Sequence, residues 1–226
     1  MEDNSPFVID LHGLDLYYGD HPVLTDIHFK LAASEFAYLV GFTGSGKSTF
    51  LKCLYGAQPI KRGSAIVTGV DLKRLKSSDL HRYRRKIGMV FQDFKLLPDL
   101  TAGQNLEFVL RATRFPKKDR KNRIREVLQW VGLEHKEKSF PPLMSGGEQQ
   151  RLAIARSILN EPELIIADEP TGTLDPFMTD EIMYLFSRLN KEKGTAILLA
   201  THDYRVLDKF PARVVKLEGG VLKNEY

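Results

Sequence analysis

The chain has 226 residues, of which 42% are hydrophobic and 27% charged, a composition typical of one large soluble domain or of a core with a subdomain. Its single cysteine, Cys53, excludes a disulfide framework. No apolar run approaches the roughly twenty residues of a membrane-spanning helix, and the N-terminal MEDNSPFVID lacks the basic and apolar regions of a signal peptide. We therefore expect a cytoplasmic protein that reaches a membrane only through a partner.

The net charge of +4 hides two basic segments. Residues 73–86 carry seven Lys/Arg against one Asp, and residues 111–125 carry eight against one, so the rest of the chain is acidic. Patches of this kind favour anionic lipid headgroups, nucleic acid or an acidic partner. A pair of solvated helix faces is the alternative interpretation.

The first part of the chain is predicted to form strands. FVIDLHGLDLYY, VLTDIHFKL and EFAYLVG have strand character, and Gly19-Asp20 is predicted to form the turn between the first two. After GFTGSGKST, the stretch TFLKCLYG is predicted to be a helix that ends at Gly56, and GSAIVTG returns to a strand. A basic helical stretch then leads into IGMVF, a short apolar run typical of a buried strand.

The middle of the chain is predicted to be helical and its end to alternate strands and helices. From Asn122, after Pro116, apolar residues recur with the period of a helix, and a helix opened by SGGE follows. ELIIAD and TAILLAT are predicted strands, DYRVLDKF a helix, and RVVKL with GGVLKNEY a closing hairpin. Asp175-Pro176 has the pattern of an N-cap and first helical residue. The residues that this helix is predicted to bury are Met178, Ile182, Leu185, Phe186 and Leu189. The order predicts an α/β fold with a parallel-sheet core around a helical insert.

GFTGSGKST matches the phosphate-binding pattern G-x-x-x-x-G-K-[ST] between a predicted strand and a predicted helix. Glycines permit the tight loop whose N–H groups surround phosphates. Lys47 is expected to reach the β- and γ-phosphates, and Ser48 to offer its hydroxyl to Mg²⁺. The predicted nucleotide-binding residues of the loop are Gly41, Phe42, Thr43, Gly44, Ser45, Gly46, Lys47, Ser48 and Thr49.

The strand LIIAD ends on two carboxylates, Asp168 and Glu169. Ligands of parallel α/β sheets gather at the carboxyl ends of strands, so this pair is expected to face the phosphate loop. Asp168 is suited to hold Mg²⁺ and Glu169 to orient or deprotonate the attacking water.

Four other polar or aromatic residues have less specific patterns. Gln92 and His202 each end a predicted strand, where each side chain has reach to Mg²⁺, water or the γ-phosphate, although each is also compatible with a plain loop position. Asp175 has a structural alternative as a helix N-cap. Tyr18 is suited to stack on adenine, or to lie in the core or on the surface of the sheet.

MSGGEQQR opens a helix with the chemistry of an anion site but carries no lysine. An exposed helix start contributes roughly 0.3–1 kcal/mol to anion binding, which changes affinity only about fivefold. The segment is therefore expected to assist a phosphate held elsewhere, either on its own chain or on another molecule.

The ordered set of GFTGSGKST, Gln92, MSGGEQQR, LIIADEPTGTLD and His202 resembles the ATP-binding subunits of ABC transporters over essentially the whole chain. By this resemblance the fold is a P-loop NTPase core with an N-terminal antiparallel β subdomain (about 1–91 and 161–226) and an inserted helical subdomain (about 92–160). Ser145, Gly146, Gly147 and Glu148 are the signature that pins ATP on the opposite subunit, which implies a head-to-tail homodimer that forms on ATP binding. The resemblance also makes Asp175 the D-loop residue and His202 the switch histidine. Gln92 is the Q-loop residue and a metal ligand, and Tyr18 is the aromatic residue that stacks on adenine. The implied cofactors are ATP and Mg²⁺.

Within the family, IGMVFQDFKLLPDLT and SFPPLMSGGEQQRLAIARSILNEPELIIADEPTGTLD are similar to the FtsE-type cell-division ATPases, with LolD- and MacB-type ATPases next. That resemblance implies an FtsX-type polytopic membrane partner and activation of peptidoglycan hydrolases, with the chain on the cytoplasmic face of the inner membrane. At AGQN (102–105) the sequence departs from the FtsE pattern. In this family that stretch lies near the surface that contacts the membrane partner.

Two functions from other classes remain open. The basic segments suggest an ABC ATPase that acts on nucleic acid, but the long coiled coil and the zinc-binding cysteines of such proteins are absent from the sequence, so no nucleic-acid partner is expected. A P-loop kinase would lack SGGEQQR.

Overall fold

A computed structural model describes residues 6–225, so the first five of the ten residues that were compared with signal peptides lie outside the described part. The described chain forms ten strands and seven α-helices. The strands are β1 (Phe7–Tyr18), β2 (His21–Ala32), β3 (Phe36–Val40), β4 (Arg62–Val67), β5 (Val70–Asp71), β6 (Ile87–Val90), β7 (Leu164–Asp168), β8 (Ala196–Thr201), β9 (Arg213–Glu218) and β10 (Val221–Glu225). The helices are α1 (Lys47–Leu54), α2 (Leu80–Tyr83), α3 (Ala102–Ala112), α4 (Arg120–Trp130), α5 (Gly146–Ser157), α6 (Pro176–Lys193) and α7 (Tyr204–Lys209).

A six-stranded sheet forms the centre of the fold, in the order β10-β9-β3-β8-β7-β6. All neighbouring strands are parallel except the β9–β10 hairpin. Val40 pairs with Thr201, and Asp168 pairs with Ala200, so β3, β8 and β7 end at nearly the same level. The loops that follow these three strands therefore start side by side.

A four-stranded antiparallel sheet, β2-β1-β4-β5, packs over one face of the central sheet. Helix α1 lies in the shared core, where Phe50 meets Phe29 of β2 edge to face at 5.8 Å between ring centroids. Leu11 of β1 and Leu198 of β8 belong to the same core. This packing fixes the start of α1, and with it the phosphate loop, against both sheets.

Helices α3, α4, α5 and α6 cover the opposite face of the central sheet in a second core. Arg123 of α4 is buried there, and its guanidinium donates to the carbonyls of Leu159 at 2.9 Å and Ile158 at 2.8 Å. These bonds join α4 to the carbonyls just after the end of α5, where a helix leaves carbonyls without intrahelical donors. Within residues 6–225, no helix has both the length and the apolarity that crossing a bilayer requires.

The predicted architecture is confirmed: a parallel core, an N-terminal antiparallel sheet and helices inserted between β6 and β7. Element ends differ slightly from the predictions, because α1 begins at Lys47 and α4 at Arg120. One prediction was wrong: Met178 is only half-buried, since it lies at the start of α6 against the first turn of α5.

Candidate active site

The segment Gly41–Gly46 forms a tight loop between β3 and α1. Gly44 and Gly46 have φ of +82° and +103°, a region that L-residues rarely adopt. A Cβ at Gly41 would lie 2.6 Å from the Leu217 carbonyl oxygen, so backbone packing also requires a glycine there. The Ser45 N–H donates to the Phe42 carbonyl at 3.0 Å and closes the turn. The loop is thus held by its glycines and by β9.

Lys47, the first residue of α1, is buried, and its ammonium group lies inside the loop. Its Nζ donates to the carbonyl of Gly41 at 2.8 Å and to that of Phe42 at 3.3 Å. The same Nζ lies 3.6 Å from Oε1 of Glu169. One cation therefore links the phosphate loop to the carboxylate at the end of β7.

Glu169 is held from three directions. Its φ of +47° is strained for a non-glycine residue, and its N–H donates to the Ala200 carbonyl of β8 at 3.0 Å. Oε2 lies 2.8 Å from Nδ1 of His202, and because a carboxylate only accepts, that ring nitrogen donates. Lys47 and His202 thus contact separate oxygens of one carboxylate, which restricts the orientation of that carboxylate.

Asp168 and Ser48 form an oxygen-donor pair beside Lys47. Burial raises the pKa of Asp168 above its ordinary value, and the hydrogen bond from the Ser48 hydroxyl opposes that rise. In residues 6–225 no group of three His, Cys, Asp or Glu side chains is arranged to hold a metal ion alone. One carboxylate and one hydroxyl suit Mg²⁺, which takes few protein ligands together with phosphate oxygens and water. These residues therefore fit a Mg²⁺–nucleotide complex.

Gln92, in the loop after β6, borders the same space as Glu169. A Cβ at Gly172 would lie 3.4 Å from Gln92 Nε2 and 3.6 Å from Glu169 Oε2. A cavity of about 250 Å³ opens beside them, lined among others by His202 and Thr201. The Glu169 carboxylate and the His202 imidazole thus line one opening, and the Gln92 amide lies near that carboxylate at the carboxyl edge of the sheet.

The start of α5 carries the SGGE segment. Ser145 Oγ accepts from the Glu148 N–H at 3.2 Å, and Glu148 Oε2 accepts from the Ser145 N–H at 2.8 Å, a reciprocal capping box. Gly146 and Gly147 occupy the first turn, and a Cβ at Gly147 would lie 2.6 Å from Met178 Sδ. The segment is therefore packed against the start of α6.

Asp175 caps α6, because its Oδ1 accepts from the Met178 N–H at 2.9 Å. Asp175 thus has the structural role of a helix N-cap, the alternative that its sequence context allowed. Tyr18 ends β1 with 78% of its surface exposed, and Phe42 at the loop is 72% exposed. Tyr18 does not belong to a core, and its ring face is open to a ligand.

The sequence profile of the family described as ABC transporter matches residues 24–172, about two thirds of the chain. The chain belongs to the ABC transporter family. It is accordingly an ATP-binding cassette and an ATP hydrolase.

Among its relatives, the Cell division ATP-binding protein FtsE of Streptococcus pneumoniae is 45% identical over 203 residues, which cover 89% of this chain and 88% of that protein. The FtsE of Mycobacterium tuberculosis is 43% identical over 202 residues, 89% of this chain and 87% of that protein. The methionine import ATP-binding protein MetN of Halalkalibacterium halodurans is 38% identical over 207 residues, 92% of this chain and 61% of that protein.

Solved cassettes have the same fold. The ATP-binding cassette MJ0796, in a dimeric post-hydrolysis state bound to ADP and Pi, superposes with a TM-score of 0.85 at 32% identity, over 96% of this chain and 97% of that chain. cbiO1 from Clostridium perfringens, part of the ABC transporter complex cbiONQ, superposes with a TM-score of 0.89 at 27% identity, over 97% of this chain and 88% of that chain. The ABC ATPase fold predicted from the sequence is therefore confirmed.

Sequence reasoning missed two residues that hold parts of this cassette in place. Arg156 of α5 donates to the carbonyls of Phe94, at 2.7 Å, and Lys95, two residues with positive φ in the loop after Gln92. Lys136 lies 2.9 Å from Glu148 Oε1 and lowers the pKa of that carboxyl, with the Ser145 N–H as the next cause. Both contacts join segments that are distant in sequence, so spacing alone gives no signal for them.

Proposed function

We propose that this cassette is the ATPase of an FtsE-like membrane complex. It would couple ATP hydrolysis through an FtsX-type polytopic membrane partner to the activation of peptidoglycan hydrolases in cell division. Identity of 43–45% to FtsE proteins over most of both chains supports this role. The proposal places the chain at the cytoplasmic face of the inner membrane, where such a partner presents its cytoplasmic surface.

We propose that ATP lies along the phosphate loop. Backbone N–H groups from Gly41 to Thr49 would surround its phosphates, with Lys47 at the β- and γ-phosphates. Lys47 is pre-positioned for this, since its Nζ already lies inside the loop on the carbonyls of Gly41 and Phe42. The exposed ring of Tyr18 would stack on the adenine.

The proposed hydrolysis centres on Glu169. Its carboxylate would accept a proton from water as the water oxygen attacks the γ-phosphorus and ADP leaves. The observation that carries this role is that Lys47 and His202 contact separate oxygens of the Glu169 carboxylate, at 3.6 and 2.8 Å. His202 and Gln92 would orient the carboxylate and the water.

Ser48, Asp168 and Gln92 would hold Mg²⁺ in the proposed complex. Bound there, the ion would supply positive charge to the β- and γ-phosphates. Ser48 and Asp168 already share a hydrogen bond, so both donor oxygens face the same space. The half-buried position of Asp168 raises its pKa, which a nearby cation would offset.

We propose that two copies assemble head to tail on ATP binding. Ser145, Gly146, Gly147 and Glu148 would then contact the ATP of the opposite copy, and Asp175 would lie at the junction. A helix start strengthens binding of a phosphate only modestly, so it needs a phosphate already held elsewhere. Dimeric forms of the cassette MJ0796 support the assembly.

Methionine import is the second candidate, because MetN proteins are 38% identical over 92% of this chain. The match covers 61% of that relative's length, against 87–88% for the FtsE proteins. LolD- or MacB-type transport and action on nucleic acid are weaker alternatives, and no nucleic-acid partner is proposed.

Co-purification from the native membrane distinguishes these roles. The tagged chain, extracted in mild detergent, is expected to retain an FtsX-type protein in the presence of ATP. Glu169→Gln, which is expected to keep ATP bound, should enrich the complex, and Lys47→Ala should deplete it. Recovery of a methionine permease instead would replace the FtsE-like role with import.

A further inference from the structure

The two basic segments use their charges differently. In residues 73–86, Arg74, Arg82 and Lys86 each pair with a carboxylate of the fold, at 3.3 to 3.8 Å. Arg84 stacks on the ring of Tyr55 at 4.3 Å. Most of the charge in this segment is therefore engaged within the protein.

In residues 111–125 only two of the eight cations are paired. Arg111 lies 2.7 Å from Glu107, and the buried Arg123 contacts Glu126 and Glu161. The other six cations form no ion pair within residues 6–225; they are Arg114, Lys117, Lys118, Arg120, Lys121 and Arg125. This segment therefore presents charge that the fold does not neutralise.

Three of these cations lie beside one more lysine. Lys117, Arg120 and Lys121 line an open cavity of about 360 Å³ between the first turns of α3 and α4, and the exposed Lys138 lines it from the other side. Two acids, Glu107 and Glu137, also border the cavity, and Glu107 is already neutralised by Arg111. We call the six unpaired cations together with Lys138 the α4 basic surface.

The arrangement suits an extended anionic surface better than one soluble anion. Arg114, Lys117 and Lys118 lie on the turn before α4, and Lys121 and Arg125 lie one helical turn apart on its exposed side. The charges are spread along the turn and the helix and do not converge on one closed pocket. Each Lys or Arg near an anionic membrane contributes about 1 kcal/mol to binding, so several acting together can hold a protein there.

We propose that the α4 basic surface docks directly on anionic phospholipid headgroups. This contact is additional to the one with a membrane protein partner and does not involve the ATP site. The lipid contact can therefore be tested independently of the proposed FtsE-like role.

The test is sedimentation of the purified full chain with vesicles. Phosphatidylcholine vesicles containing added phosphatidylglycerol are expected to bind the chain at least about tenfold more strongly than phosphatidylcholine vesicles. Lys117→Glu, Lys118→Glu and Lys121→Glu together should reduce this binding at least about tenfold. The Lys→Arg changes at the same positions should retain it, because charge and not the ammonium group is required.

The matched control reverses the same number of charges in the other segment: Lys73→Glu, Lys76→Glu and Arg82→Glu. This variant has the same net charge but is expected to retain most of the binding, since its α4 basic surface is intact. Equal losses in the two variants would overturn the proposal, as would equal binding to both vesicle types. Absence of binding of the unaltered chain to phosphatidylglycerol would also overturn it and would leave an acidic protein partner for this surface. Equal thermal unfolding midpoints confirm that all variants are folded.

Discussion

Gly147 packs so closely against Met178 that a Cβ on the glycine would lie 2.6 Å from the methionine sulfur. Gly147 belongs to the SGGE signature and lies in the first turn of α5. Met178 lies in the first turn of α6, where its N–H donates to Asp175. The signature and the helix start that follows Asp175 are therefore packed as one unit, so a shift of either displaces the other.

This contact predicts that Gly147→Ala gains less stability than Gly146→Ala. Alanine inside a helix is favoured over glycine by about 0.5–1 kcal/mol, but the methyl group added at residue 147 must displace the flexible end of Met178, which offsets part or all of that gain. Met178→Ala in the same chain should remove this offset. Gly146→Ala is the control, because its Cβ would meet only Leu174 at an ordinary 3.5 Å. Chemical denaturation measures the unaltered chain, the single variants Gly147→Ala, Met178→Ala and Gly146→Ala, and the Gly147→Ala/Met178→Ala double variant. Equal changes at the two glycines, or additive effects of Gly147→Ala and Met178→Ala, would contradict this.

Glu169→Gln is expected to retain ATP binding and to reduce hydrolysis by about 10²–10⁴-fold. Only proton acceptance is removed, and a positioned base contributes about that much. Nucleotide titration and phosphate release measure the two effects. Glu163→Gln is the control, because that carboxylate precedes the amino end of β7 and pairs with Lys86. A Glu169→Gln protein that hydrolyses ATP at the unaltered rate would show that another group accepts the proton.

Lys136→Met is expected to have an effect that depends on pH. Lys136 lowers the pKa of Glu148 below its ordinary value of 4.5, so the pair stabilises the fold above that pH. The stabilisation is lost as the pH falls through the lowered pKa. At neutral pH the substitution should cost up to about 1 kcal/mol, the range of partly exposed pairs.

The measurement is denaturant unfolding of both proteins at neutral and at acidic pH. Lys138→Met serves as the control, since Lys138 is exposed and forms no ion pair within residues 6–225. A difference between Lys136→Met and the unaltered chain that stays constant below pH 4.5 would mean that Glu148 is not its cause.

Much of the fold was predictable because its signals are local. The phosphate loop lies between a strand and a helix, and Asp168 and Glu169 end an apolar strand, so their placement at one sheet edge follows from parallel topology. The same holds for Asp175, whose N-cap geometry follows from the residues beside it. Local patterns thus located the residues that converge on the site.

The remaining contacts depend on how distant segments pack. Arg156 reaches the loop after Gln92 across 61 to 62 residues, and Gly147 meets Met178 only because α5 and α6 cross at that point. Neither contact has a periodicity or a motif of its own. The half-buried position of Met178 was missed for the same reason, since helical period does not reveal which neighbour covers the first turn.

The most direct test of the proposed dimer mixes two variants that are each expected to be inactive. Lys47→Ala removes the phosphate-loop cation, and Ser145→Arg replaces the cap of the signature helix with a bulky cation. In a head-to-tail dimer with one copy of each variant, one of the two sites has Lys47 from the Ser145→Arg copy and Ser145 from the Lys47→Ala copy. The mixture is therefore predicted to regain ATP hydrolysis that neither variant shows alone. A mixture as inactive as its components, although ATP still drives them to dimerise, would contradict the arrangement.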